Sequence, residues 1–245
     1  MMKERVLDIN NKIKLACERV GRDPSDVTLI AVSKTKPIEM IEEAYELGLR
    51  HFGENKVQEL VKKHNDLDEK YGDSIRFHQI GHLQRNKVKQ VIDKAVLIQS
   101  VDSLRLGKMI EQEASKKDMV CDILIQINIA EEDSKYGVSE KELLPLFMEL
   151  IKFPHIRVRG LMAIAPYVTD SEKNRTYFKK MRQLFIDIKY KNIDNKLEST
   201  YFNPDRFDIL SMGMSGDYEV AVEEGATMIR IGTGVFGERS YSNTK

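Results

Sequence analysis

Residues 27–48 read VTLIAVSKTKPIEMIEEAYELG, and this stretch decides the fold because it contains one complete strand–helix unit. VTLIAVSK is apolar on consecutive residues, which is typical of a strand covered on both faces. Pro37 suits the first turn of a following helix, whose side chains Ile38, Ile41 and Tyr45 fall on one face before a glycine ends it. The stretch therefore predicts a parallel strand followed by a helix that packs on it.

The same alternation continues along the chain, after an amphipathic helix over roughly residues 3–20. Eight βα units in 245 residues favour an α/β fold, a single (β/α)8 TIM barrel, with residues 1–245 as one domain. A doubly wound open sheet remains the alternative. Residues 82–94 are predicted to be a helix and residues 189–207 a surface loop. The predicted strands are 27–34, 50–55, 76–81, 95–102, 120–130, 158–165, 207–213 and 228–234.

Composition limits the classes of function. The hydrophobic fraction of 41% provides a sizeable core, and the formal net charge of zero gives no global attraction to nucleic acid or to an anionic membrane. Cys17 and Cys121 have apolar neighbours, which predicts buried thiols in a reducing compartment. No segment approaches the roughly 20 apolar residues of a membrane span, and residues 1–21 lack the apolar centre of a signal peptide. We therefore expect a cytoplasmic protein without nucleic-acid or membrane partners.

Two glycine-rich segments follow the last two predicted strands. SMGMSGD contains Ser211 and Ser215, and RIGTGVFG contains Gly232 and Thr233. Loops after strands seven and eight often bind phosphate in these barrels, since amides and hydroxyls there can donate to an anion. RIGTGVFG also matches G-x-G-x-x-G, but only eight residues follow Gly237, too few for the helix and strand of a dinucleotide fold. Simple turn chemistry is the alternative for either segment.

Lys34 ends the first strand, at the rim where active sites of such barrels lie. Taken alone, a strand-terminal lysine extends into water. Beside a phosphate site in a low-dielectric setting, it instead suits a Schiff base with pyridoxal 5'-phosphate (PLP), a phosphorylated aldehyde. Lys36 adjoins a proline and is expected outside the mouth. Arg230, at the end of the last strand, is then a candidate partner for the pyridine nitrogen, which a guanidinium would keep unprotonated.

Six segments resemble, in this order, the YggS/PROSC-type pyridoxal phosphate homeostasis proteins: AVSKTKP, HFGEN, FHQIGHLQRNK, QINIAEEDSKYG, RGLMAI and LSMGMSGDYEVAVEEGATMIRIGTGVFGER. The resemblance implies a barrel similar to the N-terminal domain of alanine racemase, a fold-type III PLP protein, with PLP held by Lys34. It also implies a role in intracellular PLP (vitamin B6) homeostasis and supply, with effects on amino-acid pools and without established turnover. PLP-dependent apo-enzymes are the implied recipients, and a monomer or weak dimer is the implied state.

Motif matching also implies further site residues. Arg230 would face the pyridine nitrogen, and Asn55 would lie near the ring. Lys135 and Tyr136 would belong to a loop that faces the site, without an assigned role. The implied phosphate contacts are Ser211, Met212, Ser215, Gly232 and Thr233.

An amino-acid racemase of the same fold type is the alternative function. Racemisation needs acid and base groups on both faces of the cofactor. The chain ends at Lys245, just past the eighth strand, so the additional β-domain of such racemases is not expected. Arg230 also disfavours carbanion chemistry.

Nucleic-acid and metal sites are disfavoured. The basic residues Arg85, Lys87 and Lys89 lack interleaved aromatic residues and are read as a solvated helix face. His78 and His82 are separated by a strand end, so their spacing does not align them as metal ligands. The acidic residues 131–133 are read as a solvated loop.

Overall fold

The computed structural model describes residues 1–132, 135–191 and 201–238. In this part of the chain, eight parallel strands form one closed barrel in sequence order, and the last strand pairs with the first. This closure confirms the predicted TIM barrel over the doubly wound sheet, which would have two unpaired edges. The strands are β1 (Thr28–Val32), β2 (His51–Glu54), β3 (Arg76–Gln79), β4 (Ala95–Val101), β5 (Cys121–Ile127), β6 (Ile156–Ala163), β7 (Ile209–Ser211) and β8 (Met228–Ile231).

Helices cover the outside of the barrel. They are α1 (Met2–Arg19), α2 (Ile38–Glu46), α3 (Val57–Tyr71), α4 (Val88–Val91), α5 (Leu104–Lys116), α6 (Glu140–Leu150), α7 (Arg175–Ile186), α8 (Tyr218–Glu223) and α9 (Thr233–Phe236). Across the described ranges, none of them is long and apolar enough to cross a membrane.

Two apolar cores lie on the two sides of the barrel wall. The larger one separates strands from helices and includes Phe52 and Phe147, while the smaller one fills the barrel. Successive strand residues point to opposite faces, so both cores draw on the same consecutive apolar runs. On several strands, the residue two positions after an inner-core residue faces the inside of the barrel nearer its carboxyl-terminal mouth. The buried residues of the inner core are Ile30, Leu97, Leu124, Met162 and Met228.

The predicted helix over residues 82–94 is much shorter than expected. A 3-10 turn at Arg85–Lys87 leads into the four residues of α4. Tertiary contacts explain the difference, because the Gly81 carbonyl accepts hydrogen bonds from Gln79 Nε2 (2.9 Å) and Ser100 Oγ (2.7 Å). Leu83 is buried two residues later, so the chain packs against the barrel before helical structure begins at Arg85.

Two other segments near the carboxyl terminus bear on the predictions. The predicted strand over residues 228–234 ends earlier, at Ile231, because the short helix α9 begins at Thr233. Of the predicted loop 189–207, residues 192–200 lie outside the described residues, as does Asp133 of the acidic run.

A capping box begins α6, and it gives the first testable prediction. Ser139 Oγ and Ser139 N both donate to Glu142 Oε2, at 2.7 and 2.9 Å. Replacing Ser139 with alanine is expected to lower the free energy of unfolding by about 1 kcal/mol, because amides of the first turn lose their cap. Urea unfolding measures the change, and Lys141→Ala on the exposed face of the same helix is the control. An equal effect of both substitutions would contradict the assignment of the cap.

Candidate functional site

Lys34 lies at the carboxyl-terminal mouth, two residues after the end of β1, and is half-buried. Its neighbour on one side is β8, which pairs with β1 through Ile30 and Arg230. The end of β1 and the segment that follows β8 stay close beyond the paired residues, since a Cβ added at Gly232 would lie 3.5 Å from Val32 Cβ. The lysine therefore lies beside the glycine-rich segment that follows β8.

A buried ion pair fixes the residue before Lys34. Ser33 Oγ donates to Glu54 Oε1 (2.6 Å), and Lys63 Nζ donates to the same oxygen (2.7 Å) and to the Ser33 carbonyl (2.8 Å). Glu54 is fully buried and Lys63 is 6% exposed. Burial raises the pKa of Glu54, although the hydrogen bonds from Lys63 and Ser33 act in the opposite direction. The strand end that carries Lys34 is thus attached to β2 and α3.

The residue after Lys34 is held in an unusual conformation. Thr35 has φ of 63°, in the left-handed region that a β-branched residue rarely occupies. Its amide donates to Glu59 Oε2 (2.7 Å), and that carboxylate lies 3.5 Å from Lys63 Nζ. Contacts from α3 therefore hold both neighbours of Lys34. Lys36 leads away from the mouth, with Nζ 3.5 Å from the Gly237 carbonyl.

Arg230 is the penultimate residue of β8, and it places a buried guanidinium near the mouth. It is 4% exposed, and it donates from Nη1 to Ser211 Oγ (2.5 Å) and from Nη2 to the Ala163 carbonyl (2.8 Å). Burial lowers the pKa of Arg230 to about 10, with Asp217 acting in the opposite direction. The side chain therefore remains a cation at neutral pH, in a setting of neutral acceptors.

The loops after β7 and β8 lie against each other. Gly213 has φ of 92°, and a Cβ there would lie 2.6 Å from Ala221 Cβ, so the turn after β7 requires glycine. Ser215 Oγ accepts from the Gly234 amide at 3.5 Å. Gly232 is the N-cap of α9 and Thr233 is its first residue, so their amides have no acceptor within that helix. The two loops therefore bring amides and hydroxyls together beside Lys34.

Two of the residues predicted from the sequence to contact the phosphate cannot donate a hydrogen bond to it from their side chains. Met212 is fully buried in the outer core, so a ligand could meet only its backbone. Ser211 is also fully buried, and its hydroxyl proton is donated to Gln99 Oε1 at 2.7 Å. The Ser211 hydroxyl therefore orients Arg230 and has no proton left for an anion.

Asn55 follows β2 and is half-buried at the mouth. Its carbonyl accepts from Gln79 Nε2 (3.0 Å), which also donates to the Gly81 carbonyl (2.9 Å). A Cβ at Gly81 would lie 2.4 Å from the Asn55 carbonyl oxygen, so only glycine allows this approach. The Gln79 amide and Gly81 thus fix the backbone that presents Asn55.

The loop after β5 borders the mouth on the far side. Lys135 Nζ contacts Glu132 Oε1 (2.7 Å), and the Tyr136 ring stacks on His82 with centroids 4.0 Å apart. Gln126 Nε2 donates to the Tyr136 carbonyl (3.2 Å). Lys135 and Tyr136 line a cavity of about 270 Å³, together with Gln126, Ile127, Asn128 and Ile164.

Two histidines in contact, His78 buried and His51 half-buried, lie deeper in the barrel and were not assigned a role from the sequence. His51 Nδ1 and His78 Nε2 are 2.9 Å apart. Burial, with Arg76 nearby, lowers the pKa of His51 to about 4 and that of His78 well below its ordinary value. His82 lies at the mouth, away from this pair. Within the described ranges, no group of three or more His, Cys, Asp or Glu side chains is arranged to hold a metal ion.

Because of these two histidines, we expect the stability of the folded protein to decrease in acid. Between about pH 6.5 and about pH 4, His51 is protonated in the unfolded chain but not in the folded one. Burial also lowers the pKa of His78, so acidification protonates it in the unfolded chain first. The unfolded state then binds more protons, so the free energy of unfolding falls on acidification, approaching about 1.4 kcal/mol per pH unit for each histidine. Urea midpoints from pH 7 to pH 4.5 measure the slope. We expect a smaller slope in His78→Gln than in the wild type or His82→Gln, and equal slopes would contradict this origin.

Comparisons with known proteins show the family of this chain. The family described as "Alanine racemase, N-terminal domain" matches residues 8–240. A pyridoxal phosphate homeostasis protein of Aquifex aeolicus is 43% identical over 97% of this chain and 98% of its own length. PipY of Synechococcus elongatus, solved with PLP bound, has a TM-score of 0.79 at 31% identity, over 97% of this chain and 100% of its own.

Racemases share the architecture at much lower identity. An alanine racemase of Clostridium difficile, in complex with cycloserine, has a TM-score of 0.69 at 13% identity, over 95% of this chain and 59% of the racemase chain. That likeness supports the fold alone. The matches that cover nearly the whole length of both partners, together with the match to the alanine racemase N-terminal domain, place this chain in the family of pyridoxal phosphate homeostasis proteins.

Proposed function

We propose that this protein binds PLP at the barrel mouth, holds it through a Schiff base with Lys34, and acts in intracellular PLP homeostasis by supplying the cofactor. One observation carries the proposal: the adjacent strands β7, β8 and β1 bring an amine, a buried guanidinium and a cluster of amides and hydroxyls together. This donor set fits the aldehyde, the pyridine nitrogen and the phosphate of PLP. The PLP-bound PipY structure, which covers the same length, supports the assignment.

The Lys34 amine would hold the aldehyde end. Its strand end is attached through Ser33 to the buried Glu54–Lys63 pair, so the amine starts from a fixed backbone position. Fixing this backbone before binding lowers the entropy that the site loses when it is filled.

Arg230 would face the pyridine nitrogen. Bound PLP supplies an electron sink, and the sink is strong when that nitrogen is protonated. Arg230 has only N–H donors and stays charged at neutral pH, so it would keep the nitrogen unprotonated. This side chain favours retention of the cofactor over chemistry that needs a carbanion.

The phosphate would lie between the loops after β7 and β8. The backbone of Gly232 and Thr233, the Thr233 hydroxyl and the Ser215 hydroxyl are the donors, with Met212 contributing through its backbone. Ser211 contributes by orienting Arg230. Asn55, which follows the neighbouring strand β2, would lie near the ring.

The racemase alternative receives less support. The solved racemases are similar at 13% to 15% identity, a level at which likeness concerns the fold. Relatives that match over nearly the whole length are named as homeostasis proteins. A carrier role without rapid turnover therefore fits this chain better.

Cofactor transfer tests the proposed function. PLP-loaded protein is mixed with the apo-form of a PLP-dependent transaminase, and transaminase activity is followed against an equal concentration of free PLP. We expect activity to recover in both samples, while racemisation of L-alanine by the loaded protein stays at background. Racemisation above about 1 s⁻¹, typical of enzymes, would replace the carrier with a racemase. A loaded protein that never reactivates the transaminase would contradict supply.

We infer that residues 1–245 form one PLP-binding domain, acting in the cytoplasm as a monomer or weak dimer, with PLP-dependent apo-enzymes as recipients. Cys17 and Cys121 are buried thiols, which suits a reducing compartment. Sedimentation velocity of the loaded protein tests the expected size.

A further inference from the structure

A chain of five polar side chains crosses the inside of the barrel. Arg230 Nη1 contacts Ser211 Oγ (2.5 Å), Ser211 Oγ contacts Gln99 Oε1 (2.7 Å), and Gln99 Nε2 contacts His78 Nδ1 (3.3 Å). His78 Nε2 then contacts His51 Nδ1 (2.9 Å). Four of the five side chains are at most 4% exposed, and His51 is half-buried. The chain connects the proposed cofactor site to the opposite face of the barrel.

Donor and acceptor roles follow from the arginine end. Arg230 can only donate, so Ser211 Oγ accepts and passes its own proton to the Gln99 oxygen. The Gln99 amide nitrogen then faces His78, and its second hydrogen points to Met228 Sδ at 3.1 Å, an acceptor. His78 Nδ1 must carry a lone pair, so the proton lies on Nε2 and is donated to His51 Nδ1. Every hydrogen bond in the chain therefore runs in the same direction.

This direction matters because Arg230 is a buried cation. Within the described residues, no ion pair is formed by its guanidinium, which is bonded to the Ser211 hydroxyl and a carbonyl. Each group in the chain turns its negative end towards Arg230, and hydrogen bonds aligned in this way polarise one another. The far end opens on a cavity of about 470 Å³ at the amino-terminal face. Its charged lining, besides His51 and His78, consists of Asp26, Arg76, Asp122, Arg159 and Asp208.

We propose that Gln99 and His78 are positioning residues for Arg230: they hold its guanidinium at the pyridine-nitrogen site through one oriented chain of hydrogen bonds that fixes neutral His78 as the Nε2–H tautomer. This inference rests on the proposed PLP site. A carboxylate at the end of such a chain would neutralise the guanidinium, whereas neutral groups orient it and leave its charge available to the cofactor.

Nitrogen-15 NMR of the histidine rings tests the chain in the absence of PLP. At pH 7, with His78→Asn used to assign the signal, we expect His78 to show a protonated Nε2 and an unprotonated Nδ1. Gln99→Glu keeps the shape and places an oxygen opposite His78 Nδ1. We expect that nitrogen to become protonated in the variant. A wild-type His78 with a proton on Nδ1 would overturn the proposal.

PLP titration tests whether the chain acts on the site. Gln99→Leu removes the acceptor of Ser211, and we expect the dissociation constant of PLP to rise about tenfold and the visible band of the loaded protein to shift. Gln99→Glu keeps that acceptor, so we expect the dissociation constant to return towards the wild-type value, but its carboxylate partly neutralises the guanidinium and the visible band is expected to stay shifted. Leu124→Ala in the inner core is the matched control, which is expected to lower the melting temperature while leaving the dissociation constant within about twofold.

The outcomes separate this inference from the proposed function. Equal changes of affinity and band in Gln99→Leu and Leu124→Ala would overturn the positioning role while leaving PLP binding intact. A wild-type protein that does not bind PLP would overturn the proposed function itself. The tautomer of His78 is measured without cofactor, so it would still test the chain of hydrogen bonds. If Gln99→Leu does not fold, the comparison of Gln99→Glu with the wild type by NMR decides.

Discussion

Replacing Lys34 with alanine is expected to abolish the visible absorption of the PLP-loaded protein and to raise the dissociation constant of PLP by about two orders of magnitude or more. The covalent attachment and its fixed geometry are lost, while the donors of the β7 and β8 loops remain. An ultraviolet–visible titration measures both quantities. The residual affinity should depend on phosphate, so inorganic phosphate should compete more effectively against the variant than against the wild type.

Two other lysines near the mouth provide matched controls. Lys36 leads away towards the Gly237 carbonyl, and Lys135 pairs with Glu132 across the mouth. Alanine at either position is expected to leave the visible band in place. Loss of the band in Lys36→Ala, or its persistence in Lys34→Ala, would contradict the assignment of the amine.

Replacing Lys63 with methionine is expected to cause the largest loss of stability, about 3–5 kcal/mol in the free energy of unfolding. The substitution keeps the length of the side chain but leaves the fully buried Glu54 carboxylate without the ammonium that lies 2.7 Å away. It also removes the donor to the Ser33 carbonyl, so PLP affinity should fall as the backbone at Lys34 loosens. Urea unfolding of the cofactor-free protein measures the stability change.

The effect should depend on pH. Without the ammonium, the pKa of the Glu54 carboxyl in the folded state rises further above that in the unfolded chain, so the folded state holds a proton that the unfolded state releases. Stability then falls as the pH rises above about 4.5, and the defect is smaller at pH 5 than at pH 8. Lys62→Met, at the exposed neighbouring position, is the control. Glu54→Gln combined with Lys63→Met should recover much of the loss, and equal effects of Lys62→Met and Lys63→Met would contradict the account.

The barrel could be predicted from the sequence because its strands are apolar on consecutive residues. Each wall position contributes to the inner or the outer core, as Ile30 and Ala31 do, so the pattern reports burial on both faces. The helix over residues 82–94 was overpredicted, since the polar contacts that hold Gly81 across the mouth come from β3 and β4 and leave no local periodicity. Tertiary contacts override local pattern here.

Residues of the candidate site could be proposed from the sequence where they stand at strand ends, but not where they depend on partners that are distant in the chain. Lys34 and the glycine-rich loops stand at the ends of strands, and the topology brings them together. Lys63 interrupts the buried stripe of Leu60 and Leu67 on α3, a signal for a buried charge, but its partner Glu54 cannot be deduced from the stripe. Gln99 is likewise a polar residue in an apolar strand, and its partner Ser211 lies 112 residues away.

Reductive trapping of the cofactor tests the central claim most directly. The wild-type protein is loaded with PLP, reduced with borohydride and digested, and the modified peptide is identified by mass spectrometry. We expect a single stable phosphopyridoxyl group on Lys34, at close to one per chain. Modification at Lys36 or Lys135 in its place, or recovery of Lys34 unmodified from yellow protein, would contradict the account.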